Sequence, residues 1–358
     1  MSLLSQTFKI LNRIRPYKSH RLFTLYQKLF FKKELSVPTF CNIKIDTRYS
    51  LNIVPLDVHK YKNCDKVFVI HNNSNENEVE EPLVIVQKGD NIHIKDSSSE
   101  SQLLNDLSYT IIAPMKANLI VNSELGDIKI NNFNGDKILA KSVSGSITVN
   151  GFQGREININ TENGDVKLEG IVQSSILNVF ISDKGSIFIN KLLGENACIT
   201  TKLGNINVNS SYCKTSKFTV GQGDMHLKNI HKHCEVINEK LGNIKMTSFD
   251  GQLILFQESG NADINLSRVT ENSSINISSG YLLLRLSEEC QEKTNFHIES
   301  QSINIHENVN VKQIQAFDPN TLLDTEKGST VRLHCSNCSV DIEAASWFDM
   351  NYPQETNN

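Results

Sequence analysis

The chain has 358 residues, 39% hydrophobic and 21% charged, with 36 Lys and Arg against 40 Asp and Glu. Its formal net charge of −4 is unevenly distributed. The first 33 residues carry all of Lys9, Arg13, Arg15, Lys18, Arg21, Lys28, Lys32 and Lys33 and no acidic residue, so the remainder has a net charge of −12. An acidic body without a basic stripe argues against a nucleic-acid partner, and no stretch approaches the roughly 20 apolar residues of a membrane span.

Residues 1–37 read as a basic targeting segment. Leu22, Phe23, Leu25, Tyr26, Leu29 and Phe30 fall at helical spacing among Arg21, Lys28 and Lys32. A basic, acid-free, amphipathic leader is the description of a mitochondrial transit peptide, which predicts a mitochondrial protein, with a cytoplasmic one as the alternative. The bland reading is a helix that contacts a membrane surface through residues 1–33 or fits a partner's groove. Charges interrupt every candidate secretory core.

Residues 38–121 are β-rich and irregular. Cys41–Ile45, Lys66–Ile70, Leu83–Val86 and Ile92–Ile94 read as strands. Gly89 lies 37 residues before Gly126, close to two of the periods described next, so degenerate coils can begin there.

Residues 122–288 repeat one phrase: Gly, a small polar residue, then apolar–polar–apolar. It begins at Gly126, Gly145, Gly164, Gly185, Gly204, Gly223, Gly242, Gly260 and Gly280. A steady period of about 19 residues built on strand-like alternation predicts an all-β fold, a single-chain parallel β-solenoid (β-helix-like) with two short strands per coil. Ile128, Ile147, Val166, Ile187, Ile206, Met225 and Ile244 should form one buried stack. Asn131, Asn150, Asn190 and Asn209 should form an amide ladder. Phe133, Phe152, Ile171, Leu192, Ile230 and Phe249 should plug the corner before a second recurrent glycine. Residues 289–350 read as C-terminal coils and a cap made of irregular β segments. There Gly328–Leu333 is one more rung, Ser339–Ile342 a last strand, and Trp347-Phe348 the cover of the open end. Residues 351–358 read as a disordered tail.

The entry strand Ile112-Ala-Pro-Met-Lys-Ala-Asn-Leu-Ile-Val followed by Gly126-Asp-Ile-Lys-Ile resembles an adhesin-like β-solenoid repeat family. This is a domain family of unknown function, widespread in bacteria and with uncharacterised animal members. The resemblance covers about 110–285 and brings no established catalytic residue with it.

Two clusters hold residue types able to bind a metal. His334-Cys335-Ser-Asn-Cys338 contains one Cys-x-x-Cys, whereas tetrahedral zinc usually takes two such pairs. His226, His231, His233 and Cys234 gather near one turn without an evident carboxylate to orient them. The eight scattered cysteines read as buried reduced thiols. Asp127, Asp165 and Asp224 exchange with Ser146, Ser186, Asn205 and Asn243 at one turn position, as turn geometry allows and a catalytic acid would not. The sequence therefore predicts no catalytic residue, no cofactor and no metal, but a binding or scaffolding module for protein partners. An extracellular or surface adhesin-like protein is the alternative, and a carbohydrate-active β-helix enzyme ranks third. The outward residues Lys129, Thr148, Lys167, Phe188, Asn207, His226 and Lys245 form a polar, mildly basic face suited to docking.

Overall fold

A computed structural model describes residues 31–72, 83–97, 108–309, 314–316 and 328–345. Residues 1–30 of the basic leader, Trp347, Phe348 and the tail 351–358 lie outside the described residues, whereas Phe31–Ser36, read as part of the 1–37 leader, is a strand paired antiparallel with Lys66–Asn72. The strands form one continuous hydrogen-bonded system wound into a column, so the chain is an all-β solenoid.

Alternation produces the core. Ile128, Ile147, Val166, Ile187, Ile206, Met225 and Ile244 stack in register, and all are buried. Period-two geometry sends the residues between them outward, where Lys167 holds its ammonium 5.9 Å from the exposed Phe188 ring. A second buried column, Ile157, Leu177, Ala197, Ser216, Cys234 and Leu253, closes the core from the other strand.

The two strands of a coil merge. Ile147–Asn163, Val166–Lys184, Ile187–Leu203 and Ile206–Gln222 each run on through the corner. Corner residues pair with their equivalents one coil away, as Phe152–Gly154 do with Val172–Ser174. The ladder thus continues while the chain bends. The leading glycine is forced by this close stacking: Gly204 has φ 148°, and a Cβ there would stand 2.1 Å from the Gly185 carbonyl oxygen.

Two sequence expectations are corrected. Ile171 is 53% exposed, and Val172 plugs the corner instead, facing Phe152 and Leu192. That coil begins its next phrase 21 residues on, and Gly170, at φ +65°, helps absorb the extra length in the turn. The amide ladder is also interrupted, because Glu169 faces Asn150; Asn209 still donates to Asn190 at 3.4 Å.

Stacking order departs from chain order at both ends. Asn42–Thr47 lies between Asn91–Asp96 and Asn118–Ser123, and Ser50–Pro55 between Ser108–Ala113 and Ile128–Phe133. At the far end Ser329–Ala344 lies between Ser273–Leu286 and Thr294–Ile305. The strand at 339–342, expected to be last, is therefore an inner rung, with Ser302–Ile305 outside it. A one-turn helix, Glu288–Lys293, capped by the Ser287 hydroxyl accepting the Cys290 N–H at 3.0 Å, makes the step between them. At the first end Lys66–Asn72 and Leu83–Lys88 pair antiparallel to the outermost coil, which blunts an otherwise open edge.

Candidate functional site

The turn carboxylates face the backbone. Asp127 accepts the Ser146 N–H at 2.8 Å, Asp165 that of Ser186 at 2.9 Å and Asp224 that of Asn243 at 2.7 Å. The hydroxyl of Ser186 and the amide oxygen of Asn205 do the same for the next coil, at 3.1 and 2.9 Å. One acceptor per coil is what this position requires, so Asp, Ser and Asn interchange.

Cys335 and Cys338 lie side by side and buried, with their Sγ atoms in contact. His334 has both ring nitrogens engaged, Nδ1 with Glu299 at 2.8 Å and Nε2 with the Ser336 hydroxyl at 2.9 Å. Among the free cysteines, burial pushes the Cys41 thiol up to about 11 and Cys290 up to about 12, and raises Cys234 further. These are packing groups, protonated and unreactive at neutral pH.

The second cluster divides. His226 sits on the outward face between Asn207 and Lys245, while Cys234 points into the core. His231 and His233 open onto a corner groove of about 550 Å³. The expectation that no carboxylate orients these histidines fails, because the next coil supplies one. His231 Nδ1 lies 3.6 Å from Asp250, and Arg268 grips the same carboxylate with Nε at 2.8 Å and Nη2 at 2.7 Å. On the other side of His231 the Tyr212 ring stacks at 4.5 Å, and the Lys191 ammonium lies 5.3 Å from that ring. His233 Nδ1 is held by the Gln252 side-chain oxygen at 2.6 Å, and Gln252 in turn donates to the Asn272 carbonyl at 2.7 Å. His233 is thereby held by a hydrogen bond, while His231 is placed by the Tyr212 ring on one side and the Asp250 carboxylate on the other. Lys214, Lys232 and Glu271 complete the lining, and none of the three has an ion-pair partner among the described residues. The same residues hold no group of three metal-ligating side chains.

Tyr212, His231 and Asp250 are 19 residues apart in succession, so the repeat period carries the signal for this column. It is invisible to a search for local clusters, because each residue comes from a different coil.

A larger cavity of about 780 Å³ near the first end is lined by Asp46, Arg48, Asp96 and Glu124 among others. Its polar groups are largely bound to one another. Asp96 accepts from the Thr47 hydroxyl and the Arg48 N–H, both at 2.8 Å. Burial would raise the Asp46 carboxyl, but hydrogen bonds from Asn122, Lys44 and His93 outweigh it and hold the group below its usual range. These contacts fasten the inserted strand Asn42–Thr47 to the coils on either side of it.

Stacked coils whose turn carboxylates are bound to backbone, with a polar groove along one corner, define a β-solenoid repeat protein. The chain belongs to the Toastrack DUF4097 family, whose model matches residues 60–213 and 195–343. Similar solved structures include adhesin candidates from Parabacteroides distasonis ATCC 8503 (11% identity, 86% of this chain and 95% of that one, TM-score 0.39) and Bacteroides fragilis NCTC 9343 (11%, 87% and 95%, TM-score 0.35). Another comes from Parabacteroides merdae ATCC 43184 (10%, 88% and 95%, TM-score 0.35). No curated protein matches the chain.

Proposed function

We propose that this protein is a non-enzymatic, adhesin-like binding protein that works at a surface and takes its ligand in the corner groove. The observation that carries this reading is Lys232. Its backbone has φ +67°, a conformation that is costly for a residue with a side chain. Gly251 fills the equivalent position one coil on, and Gly194 two coils back. The coil between has Cys213 at that position, so glycine is not required there, and Lys232 brings a cation without an ion-pair partner among the described residues to the lining of the groove. The turn carboxylates, engaged with backbone, favour binding over acid–base catalysis.

Beads coated with the purified chain should adhere to a cell surface. A Lys214→Ala, Arg268→Ala double variant should lose that adhesion with its melting temperature kept. Adhesion that survives in the variant would move the binding site elsewhere.

One observation favours a second location: the acid-free leader with its eight basic residues fits import of a mitochondrial scaffolding module. A reporter fused to residues 1–33 separates the two. Delivery to mitochondria, abolished when Arg13, Arg15 and Arg21 become Glu, would overturn the surface placement.

A further inference from the structure

Resting on the reading of the corner groove as a binding site, we infer that its ligand is an acidic oligosaccharide, a chain of sugars bearing carboxylate or sulfate groups. Main-chain recognition is ruled out by the fold. The groove runs across four coils whose backbone groups are already paired, Lys232 facing Gly251 and the Thr270 N–H reaching the Gly251 carbonyl at 3.0 Å. No strand edge is open there for an extended peptide to add to. Recognition is left to side chains.

Those side chains are mixed in a specific way. Lys214, Lys232 and Arg268 bring three cations against the carboxylates of Asp250 and Glu271. One carboxylate is already gripped by Arg268 and sits beside His231, so the groove presents positive charge. The Arg268 guanidinium uses Nε and Nη2 on Asp250 and keeps other N–H groups for an anion, which its planar fork suits. The Glu271 carboxylate is a strong acceptor without an ion-pair partner among the described residues, and the imidazoles of His231 and His233 also line the groove. A small anion such as sulfate uses the cations but not the carboxylate acceptor, and a neutral sugar meets the cations through hydroxyl oxygens alone, without charge pairing. A polyol that also carries acid groups uses both. Four coils at about 4.8 Å per step give a groove on the order of 14 Å long, which accommodates several sugar units. Aromatic stacking plays no part, since His231 and Lys191 already lie against the Tyr212 ring.

The test is titration calorimetry on the full chain with four probes: a galacturonate hexasaccharide, uncharged maltohexaose, hexaglutamate, and sodium sulfate. The uronate should bind at least tenfold more tightly than maltohexaose, hexaglutamate or sulfate, and weaken as salt is raised. Lys232→Gly is the decisive variant, because it removes the charge and relieves the strained backbone. It should lower uronate affinity at least tenfold while the melting temperature stays level or rises. Equal binding of hexaglutamate would show that charge alone is read and overturn the saccharide class. Unchanged uronate affinity in Lys232→Gly would overturn the site. Loss of adhesion in Lys214→Ala, Arg268→Ala with no uronate binding would keep the groove and overturn only this ligand class; adhesion intact with no uronate binding would overturn both.

Discussion

The carboxylate of Asp165 accepts the backbone N–H of Ser186 at 2.9 Å, from the same turn position one coil further on. Ser186 then accepts the N–H of Asn205. Each coil is fastened to the next by a side chain whose chemistry has to supply an acceptor and nothing else.

Replacing Asp165 with Asn should therefore change stability little, because the amide oxygen still accepts. Asp165→Ala leaves the Ser186 N–H without its partner and should cost about 1 kcal/mol. Urea unfolding of the two variants checks this. Equal losses would show that the carboxylate's charge, and not its acceptor oxygen, matters there.

Ile187 is fully buried between Val166 and Ile206. Ile187→Asp places an unpaired charge in mid-column and should destabilise the fold by on the order of 4 kcal/mol, whereas Ile187→Val should cost about 1 kcal/mol. An Ile187→Asp protein with an unchanged melting temperature would refute the register.

The inserted strand Ser329–Ala344 joins two coils that are not consecutive in the chain. A chain ending at residue 328 should lose hydrogen-exchange protection over 294–305 as well, although those residues are still present, while 244–269 stays protected. Protection persisting over 294–305 would mean that this strand is held by something other than its inner neighbour.

Tyr281 donates its hydroxyl to Asp341 of that inserted strand at 2.7 Å. Burial first, and then the hydrogen bond to Asp341, push the phenol from 10.0 up to about 12. With the folded-state value above the unfolded one, the contribution is complete below about pH 10 and fades as pH rises through 12. Between pH 9 and pH 12 the wild-type chain should lose more stability than Tyr281→Phe. Parallel losses, followed by denaturant midpoints, would remove Tyr281 from the alkaline transition.

The repeated phrase was sufficient by itself for the solenoid, its period and its buried stack. Strand alternation and the turn glycine are local requirements, and every coil restates them. It was likewise enough to show that Asp, Ser and Asn are equivalent at the turn, since interchange among coils is visible in one chain. Three features were decided only in the tertiary structure. The swap of Val172 for Ile171 depends on how one longer coil takes up its extra residues. Insertion of 42–55 and 329–344 as inner rungs depends on which edge each segment pairs with, and alternation is the same for an inner or an outer strand. The partnership of His231 with Tyr212 and Asp250 arises because a solenoid brings residues one period apart into contact. Local chemistry names the residues of a coil; stacking chooses their neighbours.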